Sequence, residues 1–330
     1  MCRDSDDSMK RIALFLLLPA LCGAQPYTAR KATIGGAEMV QLTDAARKME
    51  VAIAPSAGNL AWEIKVNGKN LLWLPYPNLA DRLTQRDVPG MIFGAPWSNR
   101  LDGDVYWVAG KKYILNPELG NIRRDGRGLP IHGLLVYSPE WQVVRLHADA
   151  RGAEVTSRLE FWKHPDLMAQ FPFAHTLEMT YRLADGAVEV VTCIENLSAE
   201  PMPVAVGYHP YFRVTDAPRA GWRLRAPVAN AEELAGLSGL RELTDMNRDA
   251  NGRAESALEG RNERVAVICG PKFKAVLVYG SPERPFFSIQ PLAAVSNALN
   301  LAHAGSYKDL QFVDPGKVWQ ESFWIRPSGF

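Results

Sequence analysis

The sequence has no block of like charges, and its formal net charge at pH 7 is only +1. Nucleic acids and anionic membrane surfaces attract proteins through clustered basic residues, so neither partner is expected. Apolar residues make up 47% of the 330-residue chain and charged residues 22%, proportions that are typical of a globular protein. Composition therefore excludes the usual basic nucleic-acid binder and favours an ordinary packed fold.

Long apolar runs are also absent, apart from one near the N-terminus. Lys10-Arg11 precede the apolar run 12–21, which is too short to span a bilayer, and Cys22-Gly23-Ala24 follow as a small-residue cleavage site. This pattern predicts a signal peptide over residues 1–24, with Met9 as a candidate true start. We expect an exported protein, periplasmic or secreted, without a membrane span.

Cysteine is scarce, with four in the chain. Cys2 and Cys22 fall in the leader, where Cys22 would allow a lipid anchor, although Pro19-Ala20-Leu21 is a poor lipobox. Cys193 and Cys269 lie in strand-like apolar runs. An exported protein permits a disulfide between them, but cysteines in buried strands are commonly free, and free thiols are our expectation.

Several familiar site motifs are absent as well. The chain contains no Gly-x-x-x-x-Gly-Lys phosphate loop, no Gly-x-Ser-x-Gly elbow and no Gly-x-Gly-x-x-Gly fingerprint. No two histidines stand at i and i+4, and Cys193 and Cys269 are far apart in sequence, so a zinc site is not indicated. We expect neither a metal nor a nucleotide cofactor.

What the sequence has instead is period-2 alternation of apolar and polar residues. It is clearest in 175–195, where alternation on both sides of Asp185-Gly186 predicts an antiparallel hairpin. Asn67-Gly68 predicts a second hairpin turn. Further predicted strands are Lys48–Ala54, Ala61–Val66, Leu71–Leu74, Arg264–Ile268, Lys274–Tyr279, Phe286–Ile289 and Val318–Ile325.

Amphipathic helices are scarce, and only Thr43–Met49 and Ala231–Leu237 are candidates. Strands without regular βαβ alternation argue against a parallel sheet and favour a large antiparallel β-sandwich with few short helices. No linker-like tract and no internal repeat divides the mature chain, so we expect residues 25–330 to form one all-β domain.

One histidine stands out among the six. His209 lies among aromatic residues in 206–212, and Pro210 forces extended backbone on it, which keeps it out of a helix. An imidazole shielded by aromatic rings can transfer protons near neutral pH. A lone histidine is nevertheless more often a core residue that bonds to a backbone carbonyl. A functional role for His209 therefore depends on whether other candidate site residues occur in the chain.

Three other stretches carry polar groups beside turns or strand ends. Asn99-Arg100 closes an aromatic loop in which Trp97 could stack on a sugar ring while the guanidinium binds hydroxyls. His132 precedes Gly133, which permits a close approach by ligand or backbone. Gln290 ends a predicted strand. Each stretch alone is more often structural.

In their order along the chain these motifs resemble the aldose 1-epimerase (galactose mutarotase) family. The resemblance covers the chain from Thr33 onward and depends on the ordered set, because each motif alone is weak. The set is Asn99-Arg100, Ile131-His132-Gly133, Gly207-Tyr208-His209-Pro210-Tyr211-Phe212, Ile289-Gln290-Pro291 and Asn297-Ala298-Leu299-Asn300, with Gln170-Phe171-Pro172-Phe173, Asn196-Leu197-Ser198 and Trp319-Gln320-Glu321-Ser322-Phe323-Trp324 alongside. It implies the β-supersandwich fold of that family.

The resemblance also implies roles. His209 would be the general acid toward the ring oxygen of a monosaccharide or sugar-like ligand, while His132 and Asn99-Arg100 would bind hydroxyls and the ring oxygen. The ring would open and reclose, which interconverts the α and β anomers. An acidic residue that grips a sugar hydroxyl is expected between Asn230 and Asp249, and Asp245 is our choice.

The chain departs from the family at the position of the catalytic base. Where the family has a glutamate that takes the proton of the anomeric hydroxyl, this chain has Gln290, and an amide cannot accept a proton at physiological pH. Glu321, Glu283 or Asp245 could be the base, or His209 could act alone or through water in a slow or altered mutarotase. The leading hypothesis is thus an aldose 1-epimerase-like isomerase, and the alternative is a non-catalytic carbohydrate-binding or sensing protein.

Overall fold

The computed structural model describes residues 26–228, 234 and 237–330. The predicted signal peptide and most of the predicted helix Ala231–Leu237 lie outside these residues, and the domain boundary at residue 25 stays a prediction. Within the described ranges, no helix has the length and apolar content needed to cross a membrane.

Extended segments dominate the described chain. The strands are β1 (Tyr27–Ile34), β2 (Ala37–Asp44), β3 (Met49–Ala54), β4 (Leu60–Val66), β5 (Lys69–Asn70), β6 (Met91–Gly94), β7 (Val105–Val108), β8 (Lys111–Ile114), β9 (Gln142–Asp149), β10 (Gly152–Glu160), β11 (His175–Ala184), β12 (Ala187–Asn196), β13 (Met202–Val204), β14 (Gly207–Phe212), β15 (Arg223–Arg225), β16 (Gly239–Leu243), β17 (Ala254–Glu259), β18 (Arg264–Cys269), β19 (Ala275–Gly280), β20 (Phe287–Leu292), β21 (Gln311–Val313) and β22 (Val318–Ser328). The α-helices are α1 (Leu79–Gln85), α2 (Pro165–Gln170) and α3 (Ala298–His303), with 3₁₀ turns at Pro55–Ala57, Pro117–Leu119, Phe161–Lys163 and Arg219–Gly221.

Most strands belong to two antiparallel sheets. The larger sheet has 10 strands in the order β1-β2-β3-β4-β6-β14-β20-β19-β16, with β5 paired to β4. The smaller has 8 strands in the order β15-β17-β18-β22-β12-β11-β10-β9, and β7–β8 and β13–β21 form two-stranded pairs. Contacts of β1 and β2 with β9, β10 and β11 join the two sheets. The predicted antiparallel β-sandwich is therefore confirmed.

The core lies between the sheets, and β14 shows how its side chains are arranged. The hydroxyl of Tyr208 shares a 2.5 Å hydrogen bond with Thr192 of β12, and its ring centroid lies 4.6 Å from that of Phe323 in β22. Because side chains alternate along a strand, the next residue, His209, faces away from this core. It lies on the outer face of the 10-stranded sheet.

All the predicted strands except Leu71–Leu74 are confirmed, with small shifts at their ends. The hairpin in 175–195 is β11 and β12, and its turn residues Asp185 and Gly186 adopt positive φ angles of 50° and 70°. The strand predicted at Phe286–Ile289 continues as β20, so Gln290 lies within it. Cys193 and Cys269 are free thiols, as expected.

Two predictions of local structure are wrong. Thr43–Met49 is not helical, because the carboxylate of Asp44 accepts a 3.1 Å hydrogen bond from the Arg47 N–H and turns β2 into β3. Leu71–Leu74 is not a regular strand, because the chain crosses to the end of β14, where the Trp73 N–H donates to the Tyr211 carbonyl at 2.8 Å. The helices α1 to α3 were not predicted, because each has only 6 or 7 residues. Fewer than two helical turns are too short to show a 3.6-residue hydrophobic period.

Candidate active site

Strand β14 places His209 between two neighbouring strands. His209 is opposite Ile92 of β6, and Tyr211 is opposite Ser288 of β20. Residues that lie opposite each other, and those two apart along a strand, share a face of the sheet. The side chains of Ser288 and Gln290 therefore lie beside the imidazole on the outer face.

Both ring nitrogens of His209 have partners. Nδ1 is 3.3 Å from the Oγ of Ser288, whose hydroxyl donates to the Pro210 carbonyl at 2.7 Å. Since that hydroxyl proton is committed, Nδ1 carries the ring proton and donates to Ser288. Nε2 is then an acceptor, 3.0 Å from the amide nitrogen of Gln290.

Burial decides the charge of His209. The residue is only 8% exposed, and this burial, with a smaller effect from the positive charge of Arg123, lowers its pKa to about 3. At neutral pH the imidazole is therefore uncharged, and its Nε2 lone pair can take a proton from a ligand.

Gln290 is buried, at 1% exposure, and only half of its amide is satisfied by protein. The amide nitrogen donates to His209, while the Oε1 atom meets no donor in the part of the chain that the structure describes. A buried carbonyl oxygen without a partner costs about 1–3 kcal/mol. A ligand hydroxyl at this position would recover that cost.

His132 stands against His209, with ring centroids 4.8 Å apart at an interplanar angle of 67°. Its backbone has a φ of 65°, an unusual value for a residue other than glycine, and its N–H donates to the Asn99 carbonyl at 2.9 Å. Gly133 makes this turn possible, because a Cβ there would lie 2.1 Å from the Ala95 carbonyl oxygen. Strained backbone of this kind is frequent at functional sites.

The His132 imidazole is buried as well, and its Nδ1 has no partner among the described residues. Burial first, and then the adjacent His209 and the charges of Arg123 and Arg100, lower its pKa well below the ordinary value. A neutral histidine pair thus lies beside Gln290, with two buried polar atoms free to bind a ligand.

Arg100 and Asn99 fix the loop that carries His132. The Nε of Arg100 bonds to the Asp125 carboxylate at 2.8 Å, and backbone hydrogen bonds from Leu129 and Arg127, together with Arg100, hold the pKa of that carboxyl at about 2. The Asn99 side-chain oxygen accepts from the Arg100 N–H at 2.8 Å. Both predicted residues therefore adjoin His132 through the backbone, and Arg100 is half-buried with its charge already paired.

The carboxylates considered as replacement bases lie elsewhere. Glu321, in β22 of the other sheet, accepts hydrogen bonds from the backbone N–H groups of Lys272 and Ser322 at 2.5 and 2.8 Å. Glu283 is exposed in the loop between β19 and β20. Asp245 is exposed just after β16, so its predicted contact with a sugar hydroxyl stays a prediction.

Sequence reasoning missed Glu242, which lies inside the window predicted for an acidic residue. In the sheet register Glu242 is opposite Leu277, and Leu277 is opposite Gln290, so all three share the outer face about 10 Å apart from end to end. The carboxylate accepts from the N–H and hydroxyl of Ser296 at 2.8 and 3.0 Å, and burial raises its pKa. The sequence Gly-Leu-Arg-Glu-Leu of β16 has no regular apolar–polar alternation, so no local pattern distinguished Glu242 from Asp245.

Aromatic rings form one wall of the site. Tyr211 lies with its ring centroid 4.6 Å from that of His209, and Phe286 lies 4.8 Å from Tyr211 and 4.6 Å from Trp73. Trp97, which the sequence suggested as a stacking residue, is instead packed in the core between the sheets. The apolar surface beside the histidine pair comes from Trp73, Tyr211 and Phe286.

The fold and the site together define an antiparallel β-sandwich protein with a buried histidine pair on its larger sheet. The family model for aldose 1-epimerase matches residues 38–326, and the chain belongs to that family. The resemblance drawn from the ordered motifs is thereby confirmed.

Solved structures with this fold include proteins from three different organisms. A galactose mutarotase-like protein from Clostridium acetobutylicum shares 20% identity, with a TM-score of 0.77 over 92% of this chain and 99% of that chain. Galactose 1-epimerase from Lactobacillus acidophilus shares 13%, with a TM-score of 0.67 over 92% and 100%. An aldose epimerase homologue from C. elegans shares 15%, with a TM-score of 0.64 over 86% and 96%. At these identities the likeness shows the fold.

Proposed function

We propose that this protein interconverts the α and β anomers of a sugar, with His209 as the group that transfers the proton. The observation that carries the proposal is the convergence of His209, His132 and Gln290 on one buried patch of the larger sheet, with a 4.8 Å separation of the two imidazole centroids and a 3.0 Å contact to the amide. Family membership supports the same reaction class.

The protonation state of His209 suggests how one group serves the reaction. With its pKa near 3, the neutral imidazole takes the proton of the anomeric hydroxyl at Nε2. The resulting imidazolium donates that proton to the ring oxygen as the C1–O bond of the ring breaks, which leaves an open-chain aldehyde. Rotation about C1–C2 and the reverse steps give the other anomer. The hydroxyl and the ring oxygen are bonded to the same carbon, so one nitrogen can serve both.

The remaining polar groups then act in binding. Sugar hydroxyls would form hydrogen bonds with the two unpartnered atoms, Oε1 of Gln290 and Nδ1 of His132. The anomeric hydroxyl would also replace the Gln290 amide nitrogen as the hydrogen-bond donor to Nε2 of His209. Trp73, Tyr211 and Phe286 offer the apolar surface that a pyranose ring packs against. Glu242 is placed to accept a hydrogen bond from a more distant hydroxyl.

Sugar binding without turnover is the second candidate, and Gln290 is the observation that favours it. In the described ranges, no carboxylate makes a hydrogen bond to either Gln290 or His209. Without a second acid–base group the reaction loses about 10² to 10⁴ in rate. A protein at that limit would hold the sugar without changing its anomer measurably.

NMR exchange spectroscopy separates the two candidates. Anomer exchange is followed for a panel of free hexoses, pentoses and acidic sugars with wild type, His209→Gln and the control His303→Gln, in which an exposed histidine stacked on Trp107 is replaced. The proposal expects exchange above the buffer rate for wild type and the control, and the buffer rate for His209→Gln. Wild type at the buffer rate with saturable sugar binding would support the binding protein.

A further inference from the structure

Helix α1 carries a buried cation that the mechanism does not use. Arg82 of α1 is 0% exposed, its Nε donates to the Pro89 carbonyl at 3.1 Å, and its Cζ lies 5.3 Å from the centroid of the Tyr137 ring. Both terminal nitrogens, Nη1 and Nη2, are buried and meet no acceptor in the described chain. Burial lowers the pKa of Arg82 to about 10, so the guanidinium remains charged at neutral pH.

The carboxylate near Arg82 is committed to other partners. The oxygens of Asp87 accept the N–H of Val88 at 2.8 Å and the hydroxyl of Tyr76 at 3.0 Å. A buried charge without a hydrogen-bonded counter-ion is strongly unfavourable. The two buried terminal nitrogens of Arg82, which donate no hydrogen bond in the described chain, therefore point to an anionic ligand.

A second guanidinium approaches the same place from the loop before His132. The Arg123 carbonyl accepts the Ile131 N–H at 2.9 Å, which puts Arg123 across from the turn that carries His132. Arg82 reaches this region through Tyr137, whose ring it contacts and which packs in one apolar cluster with Tyr211 and Phe286. The charge of Arg123 lowers the pKa values of Arg82, His132 and His209, in agreement with this arrangement.

The arginines near Arg123 form ion pairs with aspartates, whereas Arg123 forms no ion pair in the described chain. Arg100 and Arg127 contact Asp125, and Arg124 contacts Asp104. Arg123 itself is only partly exposed, and among the residues described it has no ion pair. Arg82 and Arg123 therefore both lack an ion pair in the described chain, and guanidinium groups bind oxyanions in a planar, bidentate way.

We propose that Arg82 and Arg123 bind an oxyanion carried by the sugar, so that the substrate is an acidic sugar, either a carboxylate or a phosphate. This assignment rests on the proposed function for the position of the sugar, because the anomeric carbon lies at His209. The neutral hydroxyl-binding atoms of His132 and Gln290 hold the rest of the ring, and the guanidinium pair selects for the charged substituent.

Binding of glycosides whose rings cannot open tests this inference apart from turnover. Isothermal titration calorimetry compares methyl glucoside, methyl glucuronide and methyl glucoside 6-phosphate on wild type, Arg123→Gln and the control Arg124→Gln, a neighbour in the same loop. Arg123→Gln keeps the buried Arg82 intact, and thermal unfolding verifies that each variant is folded.

The inference expects at least one acidic glycoside to bind wild type about 10- to 100-fold more tightly than the neutral one, the gain typical of a charge-assisted hydrogen bond. Arg123→Gln should lose most of that gain and Arg124→Gln should keep it. The preferred glycoside tells whether a carboxylate or a phosphate is selected. Equal affinity for neutral and acidic glycosides, an unchanged Arg123→Gln, or no binding at all would overturn the inference.

The same ligands keep the two proposals distinguishable. If methyl glucuronide binds through Arg123 but free glucuronate shows no catalysed anomer exchange, the anion site stands and the enzymatic function fails. If neutral and acidic free sugars exchange equally fast and Arg123→Gln has no effect, the function stands and the anion site fails.

Discussion

Replacing Gln290 by glutamate puts a carboxylate where the amide nitrogen now lies 3.0 Å from Nε2 of His209. The new charge has two effects on the proposed reaction. It supplies a second acid–base group, and it raises the pKa of the imidazole by stabilising its protonated form. A positioned general base is worth about 10² to 10⁴ in rate, which corresponds to about 3 to 5 kcal/mol of barrier.

We therefore expect Gln290→Glu to exchange anomers faster than wild type by a factor in this range, measured by NMR exchange at pH 7. Gln290→Met removes the hydrogen bond without adding charge and should give no gain. Gln320→Glu makes the same chemical change on an exposed residue of the other sheet and should behave as wild type. A folded Gln290→Glu protein with no increase in rate would refute the view that this position lacks a base.

Three further predictions concern the acid–base behaviour of His209, the burial of His175 and the turn at Gly133. Because the pKa of His209 is about 3 and its neutral form is the base, the wild-type exchange rate should be level from pH 7 to pH 5 and fall only toward pH 3; a rate that climbs steadily as the pH drops would show that the imidazolium is required. Burial lowers the pKa of His175 to about 4, so stability is complete above the ordinary value near 6.5 and is lost as the pH falls toward 4; urea unfolding of His175→Asn should lose about 2 kcal/mol less between pH 7 and pH 5 than wild type. Gly133→Ala should cost at least about 2 kcal/mol and abolish exchange, since its φ is 67° and a Cβ would lie 2.1 Å from a carbonyl oxygen, while Gly126→Ala, with nothing within 4 Å, should melt as wild type.

Most of the fold could be predicted from the sequence, because apolar and polar residues that alternate with a period of two indicate a half-buried strand. The hairpin of β11 and β12 was predicted with its turn, since Asp185-Gly186 is a common sequence for positive φ angles. The segment Leu71–Leu74 was mistaken for a regular strand because its pairing partner, the end of β14, lies far away in sequence.

The site was predictable in its members and not in its electrostatics. The ordered motifs identified His209, His132 and Gln290, which the structure brings together on one face. Burial then removes the charge from both histidines, and burial depends on chain segments that no local pattern links to them. Arg82 could not be identified from the sequence for the same reason, because its burial in the short helix α1 depends on segments distant in the chain.

Anomer exchange by wild type and by His209→Gln is the decisive measurement for the role of His209. At pH 7, with neutral and acidic free sugars each present, we expect a rate above buffer for wild type that falls to the buffer rate in His209→Gln. A wild-type rate that His209→Gln leaves unchanged, or a folded wild-type protein that never exceeds the buffer rate with any sugar of the panel, would contradict it.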